Sequence, residues 1–448
     1  MNTSRRNALL QGLLGAGAMG LRALATGLPT SFLLRTGPAR AGKAGANSPL
    51  PCADGGKAQF LILSVSGDGD PINANAPGTY EDPGVIHPDV AVAPFMAPAA
   101  LKLGHVASTA GQPWSTLPKW VLDRTSFFHM ATMTTIHPDI PKVLKLMGDT
   151  AGHEMLPSLF SRYLADCLGT VQAAPASLLG TTRPEYVTYR SNVIPNLNPM
   201  ALRDILVHPD GPLTQLAQLR DKSMDKLHAR LKADGSTSAA QRAFVDSLAR
   251  SRDEARAISD RLLSNLTTIQ DNDVGGQIAG AVALIAMNIT PVVVIRVPFG
   301  GDNHADFNLA KESEETQSGV MAIGALLAKL QEHKLEDRVT FATLNVFGRT
   351  LKQIGTKGRH HWADHHVSVM IGKPIRAGIV GGIAPGSSQD YSALPIDAQS
   401  GTGTTAGDIP VSQTLSAFGK TLGSAIGLPE DLLDQNIGKG KVVRAALA

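Results

Sequence analysis

The sequence predicts an α/β protein: a mostly parallel central sheet layered between helices. Two observations carry this. Runs such as 59–65 and 291–297 are apolar without polar alternation, as strands buried on both faces require. Stretches with apolar residues at helical spacing separate those runs, and strand–helix alternation of this length builds a parallel sheet with helices on both faces. Apolar residues make up 43% of the 448, enough to fill a real core, while charged residues are only 18%. The formal net charge is +3 and no basic run interleaves with aromatics, which argues against a nucleic-acid surface.

The elements follow in order. Ser4-Arg5-Arg6-Asn7-Ala8-Leu9-Leu10 leads into an apolar, small-residue stretch reaching about Leu34, and Ala39-Arg40-Ala41 follows. Paired arginines before a weakly apolar core and an A-x-A site read as a twin-arginine export signal over 1–41. Ala8 departs from the bulky Phe common there. Arg22, Pro29 and several glycines make the stretch a poor membrane-spanning helix, so no stable transmembrane span is expected. The expected location is periplasmic or secreted. Folded export implies either a cofactor or metal loaded in the cell or a fold that forms quickly.

Residues 42–57 read as a flexible lead-in and 58–440 as the main domain. A strand over 59–65 ends in Ser66-Gly67-Asp68-Gly69-Asp70. Residues 71–118, rich in Pro, Gly and Ala, read as an irregular excursion. A strand over 125–131 and a helix over 156–168 come next. Charged and apolar residues alternate at helical spacing over 196–270, which predicts an inserted layer of amphipathic helices. Then come helix 276–287, strand 291–297, helix 316–333, strands 339–344 and 368–371, a loop over 384–410 and a closing helix over 415–426. The two cysteines, Cys52 and Cys167, are read either as one disulfide or as two buried thiols.

In such sheets, functional groups gather beyond the carboxyl ends of the strands. Asp68 and Asp70 follow the first strand and His137 the second. Gly300-Gly301-Asp302-Asn303-His304, then Asp306, follow the 291–297 strand. Gly358-Arg359-His360-His361-Trp362 precedes Asp364, His365 and His366. Carboxylates and imidazoles converging from separate strand ends are what a divalent metal site requires. His365 and His366 are adjacent, so in an extended segment they face opposite ways. There is no P-loop, dinucleotide fingerprint, nucleophile elbow or CxxC pair.

Taken together, the leader, the Gly-Asp-Gly strand end, Met133-Thr134-Thr135-Ile136-His137, Pro157-Ser158-Leu159, Gly-Gly-Asp-x-His, Phe347-Gly348-Arg349-Thr350 and Gly-Arg-x-His-Trp resemble the bacterial secreted domain-of-unknown-function family 1501. The resemblance spans about 58–430. It implies the α/β/α fold of the alkaline phosphatases and sulfatases, and metal-dependent hydrolysis of a phosphate or sulfate ester. Position by position, it implies Asp302, His304 and His361 as ligands of one divalent ion, Asp68 as a ligand that completes that site or a neighbouring one, and His137 and Arg349 as catalytic contacts. Arg349 is read either as a contact to an anionic ligand or as a structural bond at the strand end. The implied partner is an anionic small molecule or a glycan ester. Two positions depart from the family: its Glu before Phe-Gly-Arg is Val346 here, and its Asp before the last His is His360. Loss of that carboxylate argues against a two-metal centre. It also leaves open a binding or assembly protein that keeps the fold without the chemistry.

Overall fold

In the computed structural model, residues 57–70, 72–179, 186–207, 214–233, 246, 260–301, 303–354, 358–386 and 390–448 are described. The export signal, nearly all of the lead-in, and Asp302 lie outside these residues.

The central sheet begins with β1 (Phe60–Ser66), in which every residue is buried. Strands β2 (Thr125–Met130), β3 (Ala176–Ser177), β4 (Val292–Ile295) and β5 (Val339–Asn345) follow. A separate hairpin of β6 (Gly348–Ile354) and β7 (Arg359–Trp362) precedes β8 (His366–Ile371) and β9 (Gly378–Val380). The seven-stranded sheet has the order β9-β2-β8-β5-β1-β4-β3. β5 is the central strand, and β1 beside it runs parallel to both β4 and β5. Only β8 runs against its neighbours, β2 and β5. The expected mostly parallel sheet is present, with this one reversal. Between β5 and β8 the chain forms the β6–β7 hairpin and, among the described residues, no crossover helix, and β8 then pairs antiparallel to β5 and β2.

Side-chain alternation along β1 feeds two apolar layers. Leu61, Leu63 and Val65 face α1 (Leu156–Leu168), α7 (Thr414–Ala425) and α8 (Glu430–Asn436). Phe60 and Ile62 face the other layer, made chiefly by α5 (Val274–Ala286) and α6 (Ala310–Glu332). The chain between β3 and α5 carries α2 (Pro199–Val207), α3 (Thr214–Ala233) and α4 (Asp260–Thr267), helices in the expected 196–270 insertion. Helix α1 spans the expected residues and stops at Gly169, whose φ of 64° is a left-handed cap.

Other elements differ from expectation. Helix α6 starts at Ala310 rather than 316 because both carboxylate oxygens of Asp306 accept hydrogen bonds, from the amides of Lys311 and Glu312, at 2.8 Å each. Its polar first turn carries no apolar spacing to announce it. The 71–118 excursion holds an antiparallel hairpin, Pro98–Leu103 with Val106–Gly111. Among the described residues, no helix is long and apolar enough to cross a membrane. Cys167 is disulfide-bonded, and the sequence's other cysteine, Cys52, lies outside the described residues.

Candidate functional site

Three loops bring imidazoles together at the carboxyl end of the sheet. His137 lies in the turn after β2, His304 in the loop after β4, and His361 on β7 of the hairpin. The His361 ring centroid is 4.6 Å from that of His137 and 4.5 Å from that of His304. His360 is also near, 5.6 Å from His304. Phe347, fully buried, forms the floor, stacked 4.1 Å from His361 and edge-on to His137 at 4.9 Å.

Backbone carbonyls fix two of these rings. His361 Nδ1 lies 2.7 Å from the Thr135 carbonyl oxygen, and His137 Nδ1 lies 2.5 Å from that of Gly67. A carbonyl only accepts, so each Nδ1 carries the proton and donates. In the neutral ring the lone pair then stands on Nε2. Burial pushes the His361 pKa down to about 4, with the Arg349 charge adding to that and the Thr135 bond opposing it, so His361 is neutral near pH 7. Its Nε2 is buried and hydrogen-bonds to no protein atom. An Nδ1–H anchored on a carbonyl, with Nε2 left bare, is how proteins orient histidines for a metal ion or a proton transfer.

Arg349 lies beneath this floor, fully buried. Its Nη2 donates to the carbonyl oxygens of Asp68, at 2.6 Å, and Gly301, at 2.5 Å. It therefore ties the loop after β1 to the loop after β4. Its own carbonyl accepts from Asn73 Nδ2. Gly69, at φ 93°, packs so closely that a Cβ there would stand 2.6 Å from Phe347 and 2.8 Å from Arg349. Asp68 pairs through Oδ2 with Arg296, a cation that the sequence reading passed over although an arginine closing a β-branched strand was a visible signal.

The hairpin is fastened from below. Arg359 and Glu312, both buried, form an ion pair at 2.5 Å, and Asn75 donates to Glu312 at 2.9 Å. The Arg359 amide donates to the Asn303 carbonyl at 3.1 Å, which sets β7 against the His304 loop. Glu315 was also missed. It packs against Gly301, and burial raises its pKa.

Neither His365 nor His366 joins the three imidazoles. Both are fully buried, and they meet different partners. His365 Nε2 lies 3.0 Å from His129 Nδ1, and His129 Nε2 lies 2.9 Å from the Pro77 carbonyl. His366 Nε2 accepts from the Asn345 amide at 3.3 Å. Asp70 is buried and accepts from the amides of Ile72 and Val367; burial raises its pKa to about 7. The site thus gathers His137, His304 and His361 over Phe347 and Arg349, with Asp68 held by Arg296 and Asp302 outside the described residues. Among the described residues, no group of three or more His, Cys, Asp or Glu side chains could hold a metal ion. Compared with known proteins, the chain matches no family model and no curated protein.

Proposed function

We propose that this chain is an exported hydrolase-like protein of the alkaline phosphatase and sulfatase superfamily, and that it cleaves a phosphate or sulfate monoester with one divalent cation. The observation that carries the reading is His361. Its Nδ1 is anchored on Thr135 and its bare, buried Nε2 belongs to a ring lying between two further imidazoles.

The donor set suits a borderline cation such as Zn²⁺ in its imidazole part. His304 and His361 would hold it, and Asp302, two residues before His304 in the sequence, would be the carboxylate ligand. Asp68 joins only by sharing its carboxylate with Arg296. A cation so held polarises the ester and lowers the pKa of bound water. His137 presents Nε2 as the proton acceptor, since Gly67 occupies its Nδ1. Hydrolysis bonds the water oxygen to phosphorus or sulfur and breaks the bond to the alcohol oxygen. The alcohol leaves with a proton, which His137 hands over. Arg349 keeps the loops after β1 and β4 in register beneath these groups.

The second reading, a binding protein that has lost the chemistry, is favoured by Val346. It is fully buried where the resembled family carries a glutamate. Turnover separates the two. Zn²⁺-loaded protein is expected to hydrolyse 4-nitrophenyl phosphate or sulfate, with chelator abolishing the rate and His137→Ala lowering it by roughly 10²-fold or more. Phosphate or sulfate binding without turnover would select the binding reading. Neither binding nor turnover would reject both.

A further inference from the structure

We propose that the Asp68–Arg296 pair is the anion-recognition element of this site, and that it selects a phosphate monoester, bound with one proton retained, over a sulfate monoester. The inference rests on the anionic-ester reading above and names which of the two esters the site takes.

Contacts on either side of Asp68 place it at the imidazoles. The carbonyl of Gly67, the residue before it, accepts from His137 Nδ1 at 2.5 Å. Gly69, the residue after it, packs against Phe347, on which His361 is stacked. Its own carbonyl accepts from Arg349 Nη2 at 2.6 Å. Arg296 continues the alternation of Val292 and Val294, which face the apolar layer that also holds Val346 and Phe347. Arg296 and the floor of the site therefore lie on one side of the sheet, at the carboxyl end of its strands.

The pair is open to solvent and has donors to spare. The Arg296 side chain is 22% exposed and that of Asp68 13%. Arg296 Nη2 donates to Asp68 Oδ2, and among the described residues this is the guanidinium's only hydrogen bond. A guanidinium carries five N–H donors in a planar fork, so the others can serve a tetrahedral oxyanion while Asp68 stays in place. In the reading above the cation is held by Asp302, His304 and His361. That leaves the Asp68 carboxylate beside the anion.

The carboxylate does the discriminating. When ionised it accepts hydrogen bonds and donates none. A phosphate monoester gives up its second proton only at about pH 6, and beside a carboxylate it can keep that proton and donate it. A sulfate monoester has no such proton, so its oxygens would face a second acceptor of like charge. A site that meets one ligand with a hydrogen bond and the other with repulsion separates them on both counts.

Methylphosphonate and methanesulfonate, titrated calorimetrically into Zn²⁺-loaded protein, test this. They share a tetrahedral shape, and at a pH where the phosphonate keeps one proton both carry a single negative charge. The phosphonate is expected to bind roughly tenfold tighter or more, the worth of a hydrogen bond to a charged group. Asp68→Asn offers either anion an amide donor. It should bring the affinity ratio toward one by weakening the phosphonate and tightening the sulfonate, with bound Zn²⁺ unchanged. Arg296→Gln should weaken both anions roughly tenfold or more. Equal affinities in the wild type would overturn the phosphate assignment and leave the anion site standing. A ratio preserved in Asp68→Asn would show a merely structural carboxylate, and loss of Zn²⁺ from that variant would put Asp68 on the cation; either overturns the assignment. Unchanged affinities in Arg296→Gln would overturn it too. Failure of both probes to bind the wild type would reject the anion site and the phosphate assignment together.

Discussion

Arg359 shows how one side chain organises the candidate site. Its guanidinium is 1% exposed and meets Glu312, the Thr350 carbonyl at 2.7 Å and the Ile86 carbonyl at 2.5 Å. It thereby joins the hairpin to α6 and to the 71–118 excursion. Removing one partner of such a pair leaves the other charge buried without compensation. Arg359→Met is therefore expected to lower unfolding free energy by about 3–5 kcal/mol, read from urea melts. A loss under about 1 kcal/mol would show that Glu312 finds other partners or takes up a proton. Arg359 stood in the Gly-Arg-x-His-Trp run, but its pairing was not legible in the sequence, because Glu312 lies in a polar helical turn 47 positions away and pairing at that range leaves no local pattern. His361 was legible, since its setting among four histidines within 360–366 stood out. Its partner was not, because Thr135 contributes a carbonyl, which every residue has.

At the scale of elements, hydrophobic patterning served well wherever an element packs much of its surface into the core. β1, β5, α1 and α7 lie within one or two residues of their expected bounds. It failed for elements held mainly by polar or backbone contacts. β7, read from sequence as a strand-end loop, pairs with β6 through an irregular register between Arg349 and Ile354, and its residues Arg-His-His-Trp carry no alternation. Its position is set instead by Gly358, where a Cβ would collide with the Asn303 carbonyl oxygen. That close approach brings the His304 loop against β7, so a glycine and a carbonyl, both silent in pattern analysis, position two of the three imidazoles. The sequence placed Asp68 at a strand end correctly, but only the fold pairs it with Arg296 across from β1.

Over the whole molecule, the mostly parallel sheet was legible from apolar runs, whereas the reversal of β8 was not, because strand direction depends on the connection and not on composition. The reversed strand also carries part of the molecule's sensitivity to acid. Burial holds His129 at about 4 and His366 at about 3, and keeps His365 well below the ordinary value of 6.5. The unfolded chain accepts protons on these rings near 6.5, while the folded chain does not. Their contribution is complete above about pH 6.5 and is lost as pH falls toward 4 and 3. Asp70 works in the opposite sense. Its pKa rises from 3.8 to about 7 on burial, so its contribution is most favourable below 3.8 and is lost as pH rises to 7. Three imidazoles outweigh one carboxyl, so the urea midpoint should fall between pH 7 and pH 4. A midpoint that holds or rises over that range would show that the rings are already charged in the fold.

The central claim is that His361, with His304 and Asp302, holds a divalent cation. Elemental analysis of the full chain purified from its site of expression, beside His361→Ala prepared identically, tests it most directly. One bound divalent ion per wild-type chain, lost in a His361→Ala variant that keeps its circular dichroism and melting curve, is the predicted result. Metal-free wild type that also fails to take up Zn²⁺ on titration, or equal metal in both proteins, would contradict it.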